Sequence, residues 1–289
     1  MPRPRLHSAP PRGRRRDRTA GRDWPAAIGL ALALTLAPGT AALAAERPRG
    51  TGAATELVPL SEDRGGPRFL LLSVPAGPMP DHGFPMVLLI PDADGPGPRT
   101  DGYALRLLEN HFAVAEPYLN RGALGSFLPE TLSVLALDPR LDTARLAAIG
   151  LGAGARRALA EWAAGAPVVA LALLYPGCDE PMAETARRAT PSSPDTAVLL
   201  LHGTADPANP PAACAALALA LAPRSHPRHD VLEGASYAWD ATQLVPAGAS
   251  LRALHPASPE GPRVLARPDA WTTMLAMDRI IAFLIARPR

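Results

Sequence analysis

The 289-residue sequence predicts an α/β fold, in which a mostly parallel central sheet carries helices on both faces. Short apolar runs alternate with helical patterns from residue 68 onward, which is typical of parallel strands joined by helices. The runs at 167–174 and 196–201 are almost wholly apolar, as expected for strands that are covered on both faces. No internal repeat or linker interrupts residues 68–289, so we expect a single domain there.

The individual elements follow from the same patterns. Continuous apolar runs predict strands at 69–74, 85–90, 112–118, 146–151, 167–174, 196–201 and 229–232. Helical spacing of apolar residues predicts helices at 101–111, 128–137, 153–164, 212–221 and 271–285. Residues 45–67 are rich in proline, glycine and arginine, and we expect them to form a loose N-terminal segment.

The first 44 residues have the parts of a secretory signal. An arginine-rich stretch precedes the apolar run 26–37, which is followed by Pro38-Gly39 and by Ala42-Leu43-Ala44. We predict cleavage after Ala44 and export to the periplasm or the extracellular space. An uncleaved membrane anchor is the alternative, although the run is shorter than the roughly 20 residues of a spanning helix.

Charge and composition exclude several function classes. Residues 1–45 have a net charge of +6 and residues 46–289 a net charge of −4, so we expect no nucleic-acid partner for the mature chain and no membrane partner once the signal is removed. All 29 basic residues are arginine, which excludes a Schiff-base or P-loop lysine. No Cys/His cluster has zinc spacing, and we expect neither a metal nor a cofactor.

The chain has two cysteines, Cys178 and Cys214. An even number of cysteines in an exported protein predicts a disulfide. Two buried free thiols are the alternative if the chain stays in the cytosol.

The segment Gly-Leu-Gly-Ala-Gly at 150–154 lies between a predicted strand and a predicted helix. This is the context of a nucleophile elbow, Gly-x-Ser-x-Gly, in which the central side chain points into the active site. Here the central residue is Gly152, which has no side chain and cannot be a nucleophile.

Two further strand ends complete the pattern of a catalytic triad. The segment His202-Gly-Thr-Ala-Asp206 places a carboxylate after a buried strand, where it could orient a histidine or merely cap a turn. The segment Gly234-Ala-Ser-Tyr237 follows the last predicted strand, where the order nucleophile, acid, histidine would place the histidine. Tyr237 stands there instead.

Residues 68–286 resemble the dienelactone hydrolase family of α/β-hydrolases. The matching pieces, in chain order, are Val87–Asp92, Pro129–Leu132, Asp142-x-x-Arg145, the elbow, Leu174–Cys178, His202-Gly-x-x-Asp206 with Cys214, and Gly234-Ala-x-Tyr237-x-Trp239. The resemblance implies an α/β-hydrolase fold and hydrolysis of an ester or lactone. It also implies Cys or Ser at position 152, the acid at Asp206 and His at position 237.

Two of these three positions depart from the family pattern. Without a nucleophile at Gly152 no acyl-enzyme forms, and Tyr237 would be a poor base near neutral pH because a tyrosine pKa is about 10. The amide of Ala153 and one near Asp92–Ala93 could still form an oxyanion hole. We therefore expect an exported hydrolase-like protein that has lost the covalent mechanism and binds a small ester, lactone or carboxylate.

Two alternatives remain open. The chain could be an active hydrolase that uses a non-standard residue, with Ser126, Ser236, Cys178 or His202 as candidates. The pattern Gly150-x-Gly152-x-x-Ala155 also fits the dinucleotide-binding fingerprint, although several strands precede it and no acidic residue follows at the usual distance of about 20.

Overall fold

The computed structural model describes residues 52–60, 69–118 and 127–286. The predicted signal at 1–44 and its cleavage site lie outside the described residues. None of the helices in the described part of the chain is long and apolar enough to cross a membrane.

An eight-stranded sheet forms the centre of the fold. In chain order its strands are β1 (Ala54–Pro59), β2 (Phe69–Val74), β3 (Phe84–Ile90), β4 (Ala113–Tyr118), β5 (Leu141–Leu151), β6 (Ala170–Leu174), β7 (Ala197–Gly203) and β8 (His226–Leu232). Their spatial order is β1-β2-β4-β3-β5-β6-β7-β8. The pairs β1–β2 and β2–β4 are antiparallel, and all other neighbours are parallel. The mostly parallel sheet predicted from the sequence is confirmed.

Six α-helices accompany the sheet in the described residues. They are α1 (Pro98–Glu109), α2 (Leu128–Leu135), α3 (Ala153–Ala163), α4 (Glu180–Arg188), α5 (Pro211–Leu221) and α6 (Ala270–Ile285). Leu88 of β3 belongs to one hydrophobic cluster and its neighbour Leu89 to the other. Successive side chains of a strand point to opposite faces, so a strand with a cluster on each face needs a continuous apolar sequence.

The structure corrects the expected loose segment at 45–67. Residues 54–59 form β1, which pairs with β2 from Ala54 opposite Val74 to Pro59 opposite Phe69. A hydrogen bond of 3.0 Å between the hydroxyls of Thr55 and Ser73 links the two strands. The prediction was wrong there because an edge strand is held by backbone pairing to one neighbour and does not need the apolar run of a central strand.

A small hairpin lies between β8 and α6 in the chain. Its strands are β9 (Leu251–Ala253) and β10 (Val264–Ala266), and we call residues 251–266 the cap hairpin. A bridge between Tyr237 and Ala266 attaches it to the segment after β8. The Ser236 hydroxyl donates to the carbonyl of Arg267 at 2.9 Å and accepts from its amide at 2.7 Å. The cap hairpin is thereby fixed beside the carboxyl ends of the strands, where parallel sheets place their binding sites.

Candidate functional site

The turn between β5 and α3 has the backbone of a nucleophile elbow. Gly152 adopts φ +52° and ψ −115°, and α3 begins at the next residue. A Cβ on Gly150 would lie 2.4 Å from the Cα of Ala155, and a Cβ on Gly154 would lie 2.2 Å from the carbonyl oxygen of Pro91. The two outer glycines are therefore required because helix α3 crosses β5 and β3 at very short distance.

Two other side chains occupy the space in front of Gly152. A Cβ built on Gly152 would lie 2.4 Å from the Cγ of Asp92 and 2.4 Å from the phenol oxygen of Tyr237. Heavy atoms do not approach this closely without a bond, so no side chain fits at residue 152 while these two remain in place. The structure thus brings Gly152 and Tyr237 together, as the sequence predicted.

The Asp92 carboxylate lies at the point where the two predicted oxyanion donors meet. Its Oδ1 accepts hydrogen bonds from the amides of Ala93 and Ala153, each at 2.8 Å. Its Oδ2 accepts from the hydroxyl of Tyr237 at 2.6 Å and from the guanidinium of Arg99 at 3.1 Å. Both oxygens of this carboxylate are therefore fully engaged by hydrogen-bond donors, which leaves neither of them free to attack a ligand.

Arg99 joins Asp92 to a second buried carboxylate. Its Nε donates to Asp240 Oδ1 at 3.0 Å, and its Nη1 donates to the half-exposed Asp94 at 3.1 Å. The hydroxyls of Tyr103 and Tyr175 both donate to Asp240 Oδ2, the first at 2.9 Å. A buried guanidinium survives only when carboxylates and hydrogen bonds surround it, and this one has both.

The phenols of the site stay protonated. Burial, and then the charge of Asp240, raise the pKa of Tyr103 and of Tyr175 well above the ordinary value. Burial, and then the charge of Asp92, raise the pKa of Tyr237 in the same direction. Tyr237 is therefore a hydrogen-bond donor at neutral pH and cannot act as the general base that a histidine would be.

Backbone strain is concentrated beside this network. Tyr175 has φ +37° and Ala238 has φ +49°, both in the left-handed region that side chains rarely adopt. The ring of Tyr175 makes edge-to-face contacts with Tyr237 and Trp239, with centroids 5.2 and 4.5 Å apart. Such strain persists only where the surrounding packing enforces it, and it is common at binding and catalytic sites.

Asp206 is buried at the end of β7 with neutral hydrogen-bond donors alone. Its carboxylate accepts from the amide of Ala208 and from the side chain of Asn209, each at 2.8 Å. Burial raises the pKa of Asp206 to about 7. Among the described residues no hydrogen bond joins Asp206 to Tyr237, although its charge contributes to the raised pKa of that phenol. A triad acid is normally stabilised by the histidine that it orients, and Tyr237 cannot take that part.

Asn209 connects Asp206 to the disulfide. Its side-chain oxygen accepts from the amides of Gly177 and Cys178, at 2.8 and 3.2 Å. Cys178 and Cys214 form a disulfide between the segment after β6 and helix α5, as the exported-protein interpretation predicted. Two loops at the carboxyl edge of the sheet are therefore held together by a covalent bond and by one buried amide side chain.

Comparisons with known proteins define the fold. No protein-family model and no curated protein matches the chain. Among solved structures, a dienelactone hydrolase-like promiscuous phosphotriesterase from metagenomic libraries matches with a TM-score of 0.58 at 19% identity, over 80% of this chain and 98% of the other. A putative dienelactone hydrolase from Klebsiella pneumoniae matches with a TM-score of 0.59 at 15% identity, over 81% and 100%. Thermogutta terrifontis esterase 2 matches with a TM-score of 0.59 at 13% identity, over 82% and 96%.

The chain has the α/β-hydrolase fold. This agrees with the fold implied by the resemblance to dienelactone hydrolases. In this chain Gly152, Asp206 and Tyr237 follow the carboxyl ends of β5, β7 and β8. Those are the strand ends at which this fold places nucleophile, acid and histidine in chain order. The roles assigned to these three residues, and to the amides of Ala93 and Ala153, remain predictions.

Three of the residues considered as replacement nucleophiles lie in the described part of this α/β-hydrolase fold, and each is already engaged. Cys178 is in the disulfide, and the hydroxyl of Ser236 is held by Arg267. His202 is buried with its Nε2 at 2.8 Å from the Nε2 of His229, and burial lowers the pKa of both rings. Ser126 lies outside the described residues.

The geometry also argues against the dinucleotide alternative. A pyrophosphate would need the amides at the start of α3, and the Asp92 carboxylate already uses that of Ala153. Gly150 and Gly154 are explained by the close crossing of α3 over β5 and β3, as described above.

A cleft of about 220 Å³ adjoins the Asp92 side of the site. Three charged residues of the site, Asp92, Asp94 and Arg99, line it, and the rest of the lining belongs to the cap hairpin and to the segment before it. The remaining lining residues are Ala241, Leu244, Leu251, Arg252, Ala253, Leu254 and Arg263. Sequence reasoning missed Arg99, Asp240 and the cap hairpin because no motif marks them; only the position of Asp92 after a buried strand was noted.

Proposed function

We propose that this α/β-hydrolase-fold protein binds a small ester, lactone or carboxylate and does not form an acyl-enzyme. The observation that carries the proposal is the Asp92 carboxylate, hydrogen-bonded at 2.8 Å to the amides of both Ala93 and Ala153. A substrate carbonyl polarised by those amides would have to displace a buried, ion-paired carboxylate. Gly152 offers no atom to attack that carbonyl.

Two properties of the molecule support binding over a purely structural role. The cleft beside Asp92 is open to a small ligand, and its lining combines apolar side chains with a few charged groups, as ligand sites do. The strained backbone at Tyr175 and Ala238 is retained next to the site, although strain costs about 1–3 kcal/mol per residue.

An esterase assay tests the loss of covalent chemistry. The full-length purified protein, incubated with 4-nitrophenyl butyrate, should show no turnover above the uncatalysed rate. A fluorophosphonate probe followed by intact-mass measurement should show no adduct. Turnover that saturates with substrate, or a covalent adduct on any residue, would contradict the proposal and favour a hydrolase with a non-standard nucleophile.

A reconstructed site provides the positive control. The triple variant D92A/G152S/Y237H removes the carboxylate from the amides and supplies a hydroxyl and an imidazole at the expected places. We expect it to hydrolyse the same ester measurably, and we expect the addition of D206N to reduce that rate because the new histidine would lose its orienting carboxylate.

We also propose that the chain is exported and processed after Ala44. The disulfide supports this, because disulfides persist in oxidising compartments. Cell fractionation and N-terminal sequencing of the mature protein test it; a cytosolic protein that begins at residue 1 would overturn it.

A further inference from the structure

We infer that the cleft beside Asp92 takes a small monocarboxylate, and that Arg252 and Arg263 of the cap hairpin recognise its carboxylate group. This inference rests on the proposed function, since it names the ligand class of the same site. It is carried by the position of two arginines without ion pairs to described residues, the aspartates that also line the cleft, and the size of the cleft.

Arg252 and Arg263 both belong to the cap hairpin, and both line the cleft. Arg252 is in β9, opposite Leu265, and Arg263 comes directly before β10. The antiparallel pairing of β9 and β10 therefore brings the two arginines to the same hairpin wall of the cleft.

Neither arginine has a counter-ion in the described part of the chain. Both side chains are exposed, and neither forms an ion pair or a hydrogen bond with another described residue. Arg99, by comparison, is surrounded by Asp92, Asp94 and Asp240. Two like charges on one hairpin repel each other, and an anion bound to both would convert that repulsion into two charge-assisted hydrogen bonds.

The aspartates that line the cleft limit the number of charges on the ligand. Asp92 and Asp94 line it together with Arg99, which also pairs with Asp240 outside the lining. A second carboxylate near Asp92 and Asp94 would be repelled, whereas an uncharged group would not. We therefore expect a monocarboxylate with its charge on the cap hairpin and its uncharged end toward Asp94.

The middle of the cleft favours a short apolar body. Leu244 is 48% exposed and lines the cleft together with the partly exposed Leu251 and Leu254. The volume of about 220 Å³ is below the 300–1,000 Å³ that drug-sized ligands usually occupy. A fatty acid of a few carbons fits this description, and a long acyl chain does not.

Calorimetric titration of the full chain with hexanoate, hexanamide and adipate tests the inference. The three probes share an apolar chain of similar length and carry one, no and two carboxylates. We expect saturable binding of hexanoate, at least tenfold weaker binding of hexanamide, and weaker binding of adipate.

R252Q and R263Q should each weaken hexanoate binding by about tenfold, because each removes a charge-assisted hydrogen bond. R267Q is the matched control, an exposed arginine just beyond the cap hairpin that does not line the cleft, and it should bind hexanoate like the wild type.

Each outcome decides for or against the inference. Equal binding of hexanoate and hexanamide, or unchanged hexanoate affinity in R252Q and R263Q, would overturn it while the proposed non-hydrolytic binding stands. The same loss in R267Q would show attraction by net charge alone and would overturn it as well. If no probe binds, the inference fails. The esterase assay and the fluorophosphonate labelling then still test the proposed absence of an acyl-enzyme on their own.

Discussion

The hydroxyl of Tyr237 donates to the Asp92 carboxylate at 2.6 Å, and the two groups together fill the space in front of Gly152. The residue types at positions 152 and 237 are therefore coupled. A side chain at residue 152 would collide with the ring hydroxyl of Tyr237 and with the Asp92 carboxylate that accepts from it. We expect that restoring any one of these positions alone cannot restore a working site.

Replacement of Gly152 by alanine should destabilise the protein by about 2–5 kcal/mol, since it adds steric overlap to an unfavourable positive φ. The measurement is the free energy of unfolding in denaturant. In the background of D92A the same replacement should cost less, because one of the two colliding side chains is gone. A double-mutant cycle that shows simple additivity would contradict the described packing.

Gly248 provides the matched control for that cycle. It also has a positive φ, of +79°, but a Cβ there would meet nothing within 4 Å. G248A should therefore show only the cost of the left-handed backbone, about 1–2 kcal/mol, in both backgrounds.

Truncation of Asp92 to alanine should create a site that small carboxylates rescue. The variant leaves the amides of Ala93 and Ala153 and the Tyr237 hydroxyl without their acceptor and removes one of the carboxylates that pair with Arg99, so we expect a loss of about 3–5 kcal/mol. Formate or acetate should then raise the melting temperature of D92A saturably, beyond the effect of the same ions on the wild type.

D94A is the control for rescue by formate. Asp94 also pairs with Arg99, but it is half-exposed and does not contact the two amides. D94A should therefore gain no specific stabilisation from formate. If D92A and D94A respond alike, the carboxylate is binding to Arg99 in general and not in the oxyanion position.

Most of the fold could be predicted because the central strands are buried on both faces. The runs ending at Leu151, Leu174 and Gly203 have no competing interpretation as amphipathic helices, and their order predicted the parallel sheet. Strand β1 and helix α4 were missed. The first is held by backbone pairing, and the second is a polar helix whose start is fixed by Asp179 accepting from the amide of Met182 at 3.0 Å.

The candidate site could be predicted only where a strand ends at it. Gly152, Asp206 and Tyr237 were proposed as site residues because they follow the predicted strands that correspond to β5, β7 and β8. Nothing in the sequence links Asp92 to Tyr237, which are 145 residues apart, or Arg99 to Asp240, which are 141 apart. These long-range contacts hold the carboxylate of Asp92 against the amides of Ala93 and Ala153. They cannot be predicted from the spacing of residues along the chain.

Removal of the disulfide should destabilise the protein through the unfolded state. The bond joins Cys178 to Cys214, 36 residues apart, and closing a loop of that length contributes about 4 kcal/mol in the chain-entropy model. The double variant C178S/C214S should show this loss in denaturant unfolding. Adding a reducing agent should lower the free energy of unfolding of the wild type and should not change that of the variant. Equal stability of the oxidised wild type and the variant would show that native-state effects cancel the constraint.

Asp206 should make stability depend on pH in the direction opposite to that of an ion-paired carboxylate. Burial raises its pKa from about 3.8 in the unfolded chain to about 7 in the folded protein. Between these values the folded protein keeps a proton that the unfolded chain releases. The free energy of unfolding therefore falls as pH rises, by on the order of 4 kcal/mol in total, and this contribution is constant above about pH 7.

D206N should remove this dependence on pH. Its altered hydrogen bonds to Ala208 and Asn209 can change the stability, but by the same amount at every pH. Unfolding titrations at intervals from pH 4 to pH 8 compare D206N with the wild type and with D81N, in which an exposed carboxylate is replaced and the wild-type profile should persist. Parallel profiles of D206N and the wild type would contradict the prediction, because they would show that folding does not raise the pKa of Asp206.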